Sequence, residues 1–275
     1  MNAEGHSQSP GPSKFKTSLA QQLYHKALKQ GLISTSEAKT IMGDGAKAKT
    51  ALWRLTQKGS LLRVKEGLYA AIPPGAYPPN YEIDRYLVVN HLLPGAGVLA
   101  YHTALEIHGV AYSSFSTLYY LSERKAKPFE FQEVLYRPVW TKELFGAERV
   151  FRGSVTVLVT DKERTFLDCI RRPDLCGGLE EVMKSLESLR VINEERMLAY
   201  LHRFGESSLY RRAGFMLSLL EGSIRFDETL LAEIRDHIGV GTSYLIPGGA
   251  RTGGRLNRDW RVYMPTNLEE LLKHV

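Results

Sequence analysis

Eight polar and basic residues between positions 47 and 65 have the types and spacing to contact a nucleic acid. Lys and Arg side chains neutralise phosphates, while Arg and Gln also hydrogen-bond the edges of bases. All eight fall on one helix and on the hairpin that follows it, and we interpret them as a DNA-binding set. They are Lys47, Lys49, Thr50, Arg54, Gln57, Lys58, Arg63 and Lys65.

The helix itself divides into a basic stripe and an apolar face when it is drawn at about 100° per residue. The apolar face consists of Ala48, Leu52 and Leu55. The stripe, roughly 110° away on the same projection, consists of Lys47, Ala51, Arg54 and Lys58. We therefore expect the apolar face to pack on neighbouring helices and the stripe to enter the major groove, as the recognition helix of a helix-turn-helix does.

The elements around this helix occur in the order helix, short helix, helix and hairpin, which is typical of a winged helix-turn-helix. Ser34 and Glu37 have the spacing of a capping box, which predicts the start of the short helix. The sequence predicts these bounds: a first helix over 19–30, a third helix over 46–58, strands over 61–64 and 68–72, and a turn at 65–67.

Positive charge is concentrated on this segment. Residues 1–72 contain 11 Lys and Arg against four Asp and Glu, a net charge of +7, whereas residues 73–275 contain 25 against 26, a net charge of −1. A basic charge confined to one small module is the electrostatic signature of a domain that binds phosphates. The alternative is a winged helix that makes protein contacts only, with its basic stripe solvated.

The bulk properties predict a globular protein of two or three domains. The chain has 275 residues, of which 43% are hydrophobic and 24% charged. We find no run of 18 apolar residues, so we expect no contact with membranes. We also find no secretory signal, so we expect a cytoplasmic protein in which Cys169 and Cys176 are reduced thiols. We expect a disordered tail over 1–16, a winged helix-turn-helix over 17–73, a proline-rich linker over 74–80 and an α+β domain over 81–275.

The region from 81 onward predicts helices and strands without strict alternation, so the fold class is α+β with a larger mixed C-terminal domain. A second capping box is predicted at Thr160 and Glu163. The predicted helices are 81–93, 98–107, 164–170, 179–189, 194–204, 207–220 and 229–238, and the predicted strands are 118–121, 129–136, 155–159 and 260–263.

Three other clusters have residue types that occur in functional sites. His102, Glu106 and His108 fit no zinc pattern, and we assign them a structural role. Glu163, Arg164 and Asp168 are assigned to helix capping and ion pairing, because Arg164 and Asp168 are four residues apart on a helix.

The third cluster is the glycine-rich segment from Gly248 to Gly254, which lacks the G-K-[ST] ending of a P-loop and which we interpret as a mobile loop. With its neighbours it offers a possible second basic patch at Arg251, Arg255, Arg258 and Arg261. The sequence predicts no metal, no cofactor and no enzymatic activity.

Several phrases, in this order and spacing, resemble the AbiEi family of antitoxins from type IV toxin–antitoxin systems, which are linked to abortive phage infection. The resemblance covers about residues 17–275. The polar tail before Lys14 and the length of the Gly248–Gly254 loop depart from the family pattern. The phrases are the basic segment that ends in KEGLYA (65–70), ALEIHG (104–109), VTDKERTFLD (159–168), RRAGF (211–215) and NRDW (257–260).

The resemblance implies a division of labour between the two ends of the chain. It implies that the N-terminal winged helix represses its own operon by binding inverted repeats in the promoter, so we expect the protein to associate with the nucleoid. It implies that the C-terminal region counteracts a partner toxin that resembles nucleotidyltransferases. In this family the opposition generally needs no stable complex, although members differ, and the alternative is an antitoxin that mainly binds its toxin directly.

Overall fold

The computed structural model describes residues 18–77, 80–92, 97–152, 155–248, 254–268 and 270. The expected disordered tail, 1–16, lies outside these residues, as does part of the expected linker. The chain forms two compact units, and the division between them falls between Glu82 and Ile83.

The first unit contains three helices and a small sheet. The sheet has the strand order β1-β3-β2 and is antiparallel throughout. The helices and the hairpin occur in the predicted order, and β1 is an additional strand that was not predicted. The elements are α1 (Leu19–Gln30), β1 (Leu32–Ser34), α2 (Thr35–Met42), α3 (Gly45–Gln57), β2 (Leu61–Lys65) and β3 (Leu68–Ala71).

Local hydrogen bonds define where these helices begin. Ser34 and Glu37 form the predicted capping box: the Ser34 N–H donates to Glu37 Oε2 at 2.8 Å, and the Glu37 N–H donates to Ser34 Oγ at 3.2 Å. Asp44 caps α3 by accepting from the Lys47 N–H at 2.8 Å. Such caps satisfy N–H groups that have no partner inside the helix, so they fix the position of α3.

The core of the first unit is made of small and aliphatic side chains from all three helices and the sheet. The Tyr24 hydroxyl closes it at one side by donating to the Ile72 carbonyl. The buried residues of this core cluster are Leu23, Ala27, Ile33, Ala38, Ala48, Ala51, Leu52, Leu61 and Ala71.

The second unit is built on a six-stranded mixed sheet with the order β6-β7-β5-β4-β9-β8. Strands β5 and β7 pair in parallel, as do β4 and β9, and the other pairs are antiparallel. The strands are β4 (Val98–Leu99), β5 (Thr117–Ser122), β6 (Phe129–Phe131), β7 (Val134–Trp140), β8 (Ala147–Arg152) and β9 (Val155–Thr160).

Helices and a second small sheet complete this unit, and their apolar faces form its main core. The small sheet has the order β10-β12-β11. The elements are α4 (Arg85–Leu92), α5 (His102–Ile107), α6 (Lys162–Arg171), α7 (Leu179–Glu187), α8 (Glu194–Phe204), α9 (Ser207–Leu219), α10 (Glu228–Asp236), β10 (Ser243–Tyr244), β11 (Arg255–Asn257) and β12 (Val262–Met264). The predicted mixed α+β class is confirmed.

Three predicted elements of the second unit were wrong in detail. The helix expected over 98–107 is strand β4 followed by α5, because Tyr101 has a φ of 56° and interrupts a continuous helix. The helix expected from 81 begins only at Arg85. The single strand expected over 129–136 is a hairpin, since Gln132 and Glu133 have φ angles of 47° and 61° and turn the chain between β6 and β7.

The predicted capping box at Thr160 and Glu163 is also wrong. The cap of α6 is Asp161, whose carboxylate accepts from the Arg164 N–H at 2.8 Å. Thr160 is the last residue of β9, and its hydroxyl lies 2.8 Å from that of Thr165. The Glu163 carboxylate accepts from the Asn193 N–H at 2.6 Å instead. Glu163 therefore connects α6 to the start of α8.

Candidate nucleic-acid interface

Helix α3 is attached to the core by one face and leaves the opposite face open. Ala48, Ala51 and Leu52 are buried, and Leu55 is half-buried. Because Ala51 belongs to the core, the basic stripe predicted from sequence was misplaced at that position. At about 100° per residue, the direction opposite the core is occupied by Ala46, Thr50, Trp53 and Gln57.

The predicted cations of α3 border this open face. Lys47, Arg54 and Lys58 lie along one edge and Lys49 lies toward the other, and all four are exposed. Lys58 is the C-cap residue that directly follows α3. Among the described residues no carboxylate lies within 4 Å of any of the four. Cations without internal partners are available to phosphates, whereas a cation already in an ion pair would first have to break it.

The middle of the open face carries side chains that can meet base edges or sugars. Gln57 and Thr50 are exposed, and the Thr50 hydroxyl donates to the Ala46 carbonyl at 3.0 Å, which leaves its oxygen free to accept. Trp53 is 62% exposed. Sequence reasoning left Trp53 out of the binding set. The spacing i, i+4, i+7 and i+11, which places residues on one face of a helix, is that of Ala46, Thr50, Trp53 and Gln57.

The hairpin adds two predicted residues beside α3. Arg63 is exposed on β2, whereas Lys65, at the end of that strand, is half-buried. The pairing of β2 with β3 shifts register between these two residues. Gly67, with a φ of 81°, makes the turn, and its carbonyl accepts from the Thr35 N–H at 2.8 Å. The hairpin is thus connected to the start of α2.

Few acids oppose this positive charge. Glu37 pairs with Lys26 at 3.5 Å. Burial of the Glu37 carboxyl acts against ionisation, but hydrogen bonds from Ser34 and the charge of Lys26 outweigh it and lower its pKa. Asp44 is exposed, and the hydrogen bond from the Lys47 N–H lowers its pKa, so it stays ionised as the cap of α3.

The possible second basic patch is only partly assembled in the structure. Arg251 and most of the Gly248–Gly254 segment lie outside the described residues. Arg255 and Arg258 line one cavity of about 570 Å³. Arg261 is directed elsewhere, since its guanidinium donates to the Gly239 carbonyl at 2.7 Å. The structure therefore brings two of the four arginines together.

The histidine cluster is a buried hydrogen-bonded network. His102 is fully buried and stacks on Phe115, and its Nε2 lies 3.3 Å from Glu181 Oε1. His108 lies apart from it, with Nε2 at 2.7 Å from the Thr160 carbonyl oxygen. Within the described part of the chain, no group of three or more His, Cys, Asp or Glu residues is arranged to hold a metal.

Arg164 and Asp168 form an ion pair inside the second unit, with Nε and Oδ2 at 2.9 Å and both side chains almost fully buried. The Arg164 guanidinium also lies over the rings of Phe145 and Phe204, at 4.1 and 4.5 Å from their centroids. Burial raises the pKa of Asp168, and the charge of Arg164 opposes that rise. This enclosed arrangement fits a structural role.

A site that sequence reasoning missed is a cavity in the second unit beside the start of α9, whose wall includes Arg171 and Arg212. The available signal was two dibasic pairs, Arg171-Arg172 and Arg211-Arg212, at helix positions far apart in sequence.

Comparison with known proteins gives information on the fold of the chain. No protein-family model and no curated protein matches the chain. Among solved structures, the chain is similar to the crystal structure of the RV2827C protein from Mycobacterium tuberculosis. That likeness has a TM-score of 0.66 at 14% sequence identity and covers 93% of this chain and 92% of that chain. At this identity the likeness concerns the fold, a mixed α+β architecture over nearly the whole length.

Among the described helices none has both the length and the apolar character to cross a membrane.

Proposed function

We propose that this protein binds double-stranded DNA through the open face of α3 and represses transcription from its own promoter. The observation that carries the proposal is the set of four exposed cations on α3 and its C-cap residue, none of which has a carboxylate of the described residues within 4 Å. The first unit is a winged helix-turn-helix in this proposal, with α3 as the recognition helix and the β2–β3 hairpin as the wing.

Side chains on the open face, at its borders and on the hairpin divide into two kinds of contact. Arg54, Thr50 and Gln57 are the candidates for base edges, since a guanidinium, a hydroxyl and an amide can hydrogen-bond bases directly. Lys47, Lys49, Lys58, Arg63 and Lys65 are the candidates for phosphates, which supply affinity without sequence preference. Trp53 has a flat apolar surface suited to the sugars at the groove wall.

The proposal extends to the antitoxin role that the sequence phrases suggest. The second unit opposes a nucleotidyltransferase-like toxin of a type IV toxin–antitoxin system. This unit contains the sequence phrases at 104–109, 159–168, 211–215 and 257–260. The protein then acts in the cytoplasm, at inverted repeats upstream of its own gene. Direct binding to the toxin, with DNA binding secondary, is the alternative mode of action.

The DNA-binding part is tested with the duplex upstream of the gene in a fluorescence anisotropy titration. The double variant Lys47→Ala/Arg54→Ala is compared with Lys29→Ala, which removes an exposed cation from α1 and leaves α3 intact. We expect the double variant to lose about tenfold or more in affinity and the control to bind normally. Equal affinity of both folded variants would overturn the assignment of α3.

The antitoxin part is tested by co-expression with a nucleotidyltransferase-like toxin, which the proposal expects to be encoded beside this gene. Recovery of growth by the Lys47→Ala/Arg54→Ala variant would support an antitoxin activity in the second unit that is separate from DNA binding. Co-purification of the two proteins would support the direct-binding mode. Failure of the wild-type protein to restore growth would contradict the antitoxin role.

A further inference from the structure

A cavity of about 600 Å³ lies in the second unit beside the amino-terminal end of α9, and five of the twelve residues that line it are cationic. Its volume falls in the range of about 300–1,000 Å³ that small-ligand sites occupy. One carboxylate, Glu206, also lines it. The cations are Lys142, Arg164, Arg171, Arg172 and Arg212.

Two of the five cations are left without an acidic partner. Three are paired: Arg164 with Asp168 at 2.9 Å, Arg171 with Glu206 at 2.5 Å, and Arg172 with Asp174 at 2.6 Å. No described carboxylate lies within 4 Å of Lys142 or Arg212. The three acids neutralise three of the five cations. The cavity therefore keeps a surplus of positive charge, which Lys142 and Arg212 carry.

Arg212 lines the cavity and is held in place by a hydrogen bond through its Nε. Its Nε donates to the Tyr244 carbonyl at 2.9 Å, which fixes the plane of the guanidinium. Desolvation lowers the pKa of Arg212; Glu206 opposes this effect, while repulsion from Arg171 and Arg211 adds to it. A guanidinium always remains charged in proteins, so an anion bound beside it would relieve an unfavourable environment.

The start of α9 adds to the same potential. Ser208, in the first turn of this 13-residue helix, lines the cavity, and no side chain caps the helix at its amino-terminal end. The amino-terminal end of a helix carries a partial positive charge and unpaired N–H groups. Ser208 is the residue of the first turn that lines the cavity, and Glu206, the N-cap residue, lines it as well.

Tyr101 forms another part of the wall in an unusual backbone conformation. Its φ of 56° lies in the region that favours glycine, although the residue is a buried tyrosine. Such strain occurs more often where a side chain must meet a ligand. A tyrosine phenol is protonated at neutral pH and can donate a hydrogen bond, and burial, which raises the pKa of Tyr101, favours the same state.

We propose that this cavity binds a phosphorylated small molecule through its phosphate group, with Arg212 and Lys142 as the charge partners. A doubly charged phosphate matches two unpaired cations, and its oxygens match the fork of a guanidinium. A concave cavity of this size admits a small ligand, whereas a duplex requires an extended surface or an element that enters its groove. The inference does not rest on the DNA-binding proposal, which concerns the other unit.

The test is isothermal titration calorimetry on the full chain with sodium pyrophosphate, ATP and adenosine. We expect pyrophosphate and ATP to bind and adenosine, which has no phosphate, not to bind. Tighter binding of ATP than of pyrophosphate would assign the site to nucleotides, and equal binding would assign it to the phosphate group alone. Arg212→Gln and Lys142→Ala should each weaken binding about tenfold, since each removes a charged contact.

The controls separate loss of the site from loss of the fold. Arg225→Gln removes an exposed arginine of the same unit that lies outside the cavity, and it should leave binding unchanged. Lys142 is exposed and has no ion pair with a described residue, so its variant tests the site even if Arg212→Gln fails to fold. Absence of binding, unchanged binding in folded Lys142→Ala, or displacement of pyrophosphate by a short duplex would overturn the proposal.

Discussion

The indole ring of Trp260 lies directly against Gly214 in the middle of α9. A Cβ built on Gly214 would be 2.6 Å from Cη2 of the ring and closer still to Cε3 and Cζ3. The Trp260 Nε1 donates to Ser218 Oγ at 2.9 Å, one turn further along the same helix. Glycine costs helix stability, yet here it makes room for a large aromatic side chain. The contact joins two of the sequence phrases, those at 211–215 and 257–260.

The first prediction follows from this contact. Gly214→Ala should lower the free energy of unfolding of the second unit by about 1–3 kcal/mol, because the added methyl group displaces the ring and outweighs the better helix propensity of alanine. Chemical denaturation followed by Trp fluorescence measures the change. Gly222→Ala is the matched control, since a Cβ there meets nothing within 4 Å. Equal stability of the two variants would contradict the packing argument.

The second prediction concerns the buried Arg164–Asp168 ion pair. Asp168→Ala leaves the Arg164 guanidinium buried without its partner, and we expect a loss of about 3–5 kcal/mol in the free energy of unfolding. Asp174→Ala breaks a similar pair with Arg172 that is about half exposed, so that variant should lose less than about 1 kcal/mol. Denaturant titrations of both variants make the comparison, and similar losses would refute it.

The third prediction concerns acid stability. Burial of Glu181 acts against ionisation, but hydrogen bonds from the Ser113 N–H and hydroxyl, together with His102, outweigh it and lower its pKa below the ordinary 4.5. A carboxyl with a lowered folded pKa contributes stability above its unfolded pKa and loses it as the pH falls through the folded value. The free energy of unfolding of the wild type should therefore exceed that of Glu181→Gln above pH 4.5. The difference between the two free energies should become smaller below that pH.

Denaturation midpoints at a series of pH values measure this gap. A gap that stays constant on acidification would show that the charge of Glu181 contributes nothing to the fold.

The fourth prediction concerns the two cysteines. Cys169 and Cys176 are fully buried, with their Sγ atoms 3.4 Å apart. Burial raises the pKa of the Cys169 thiol, which keeps it protonated and unreactive. A thiol reagent at mildly alkaline pH should therefore modify neither cysteine in the folded protein and both after unfolding. Rapid modification under native conditions would contradict this burial.

How well the sequence predicted the fold depended on whether the signal was local. Ser34, Glu37 and Gly31 are caps within a few residues of the helices that they bound, so α1 to α3 were found close to their observed limits. Strand β1 has three residues and exists only because it pairs with β3, a partner more than thirty residues away. No pattern within three residues can indicate such a pairing.

The candidate sites show the same distinction. The exposed cations of α3 were found because one helix carries them, and only Ala51 was assigned to the wrong side. The cavity beside α9 was missed because its wall combines residues from separate elements, namely Tyr101, Lys142, Arg171 and Arg212. Sequence spacing cannot show which distant arginines share a wall, nor which of them already have acidic partners.

The most direct test of the central claim, that α3 binds DNA with its exposed cations, is the salt dependence of affinity for the gene's own upstream duplex. Each phosphate contact releases counterions, so affinity should fall steeply with salt for the wild-type protein. The folded Lys47→Ala/Lys58→Ala variant, which lacks two proposed phosphate contacts, should bind more weakly and show a logarithmic slope shallower by about two. The same affinity and slope in variant and wild type would contradict the claim.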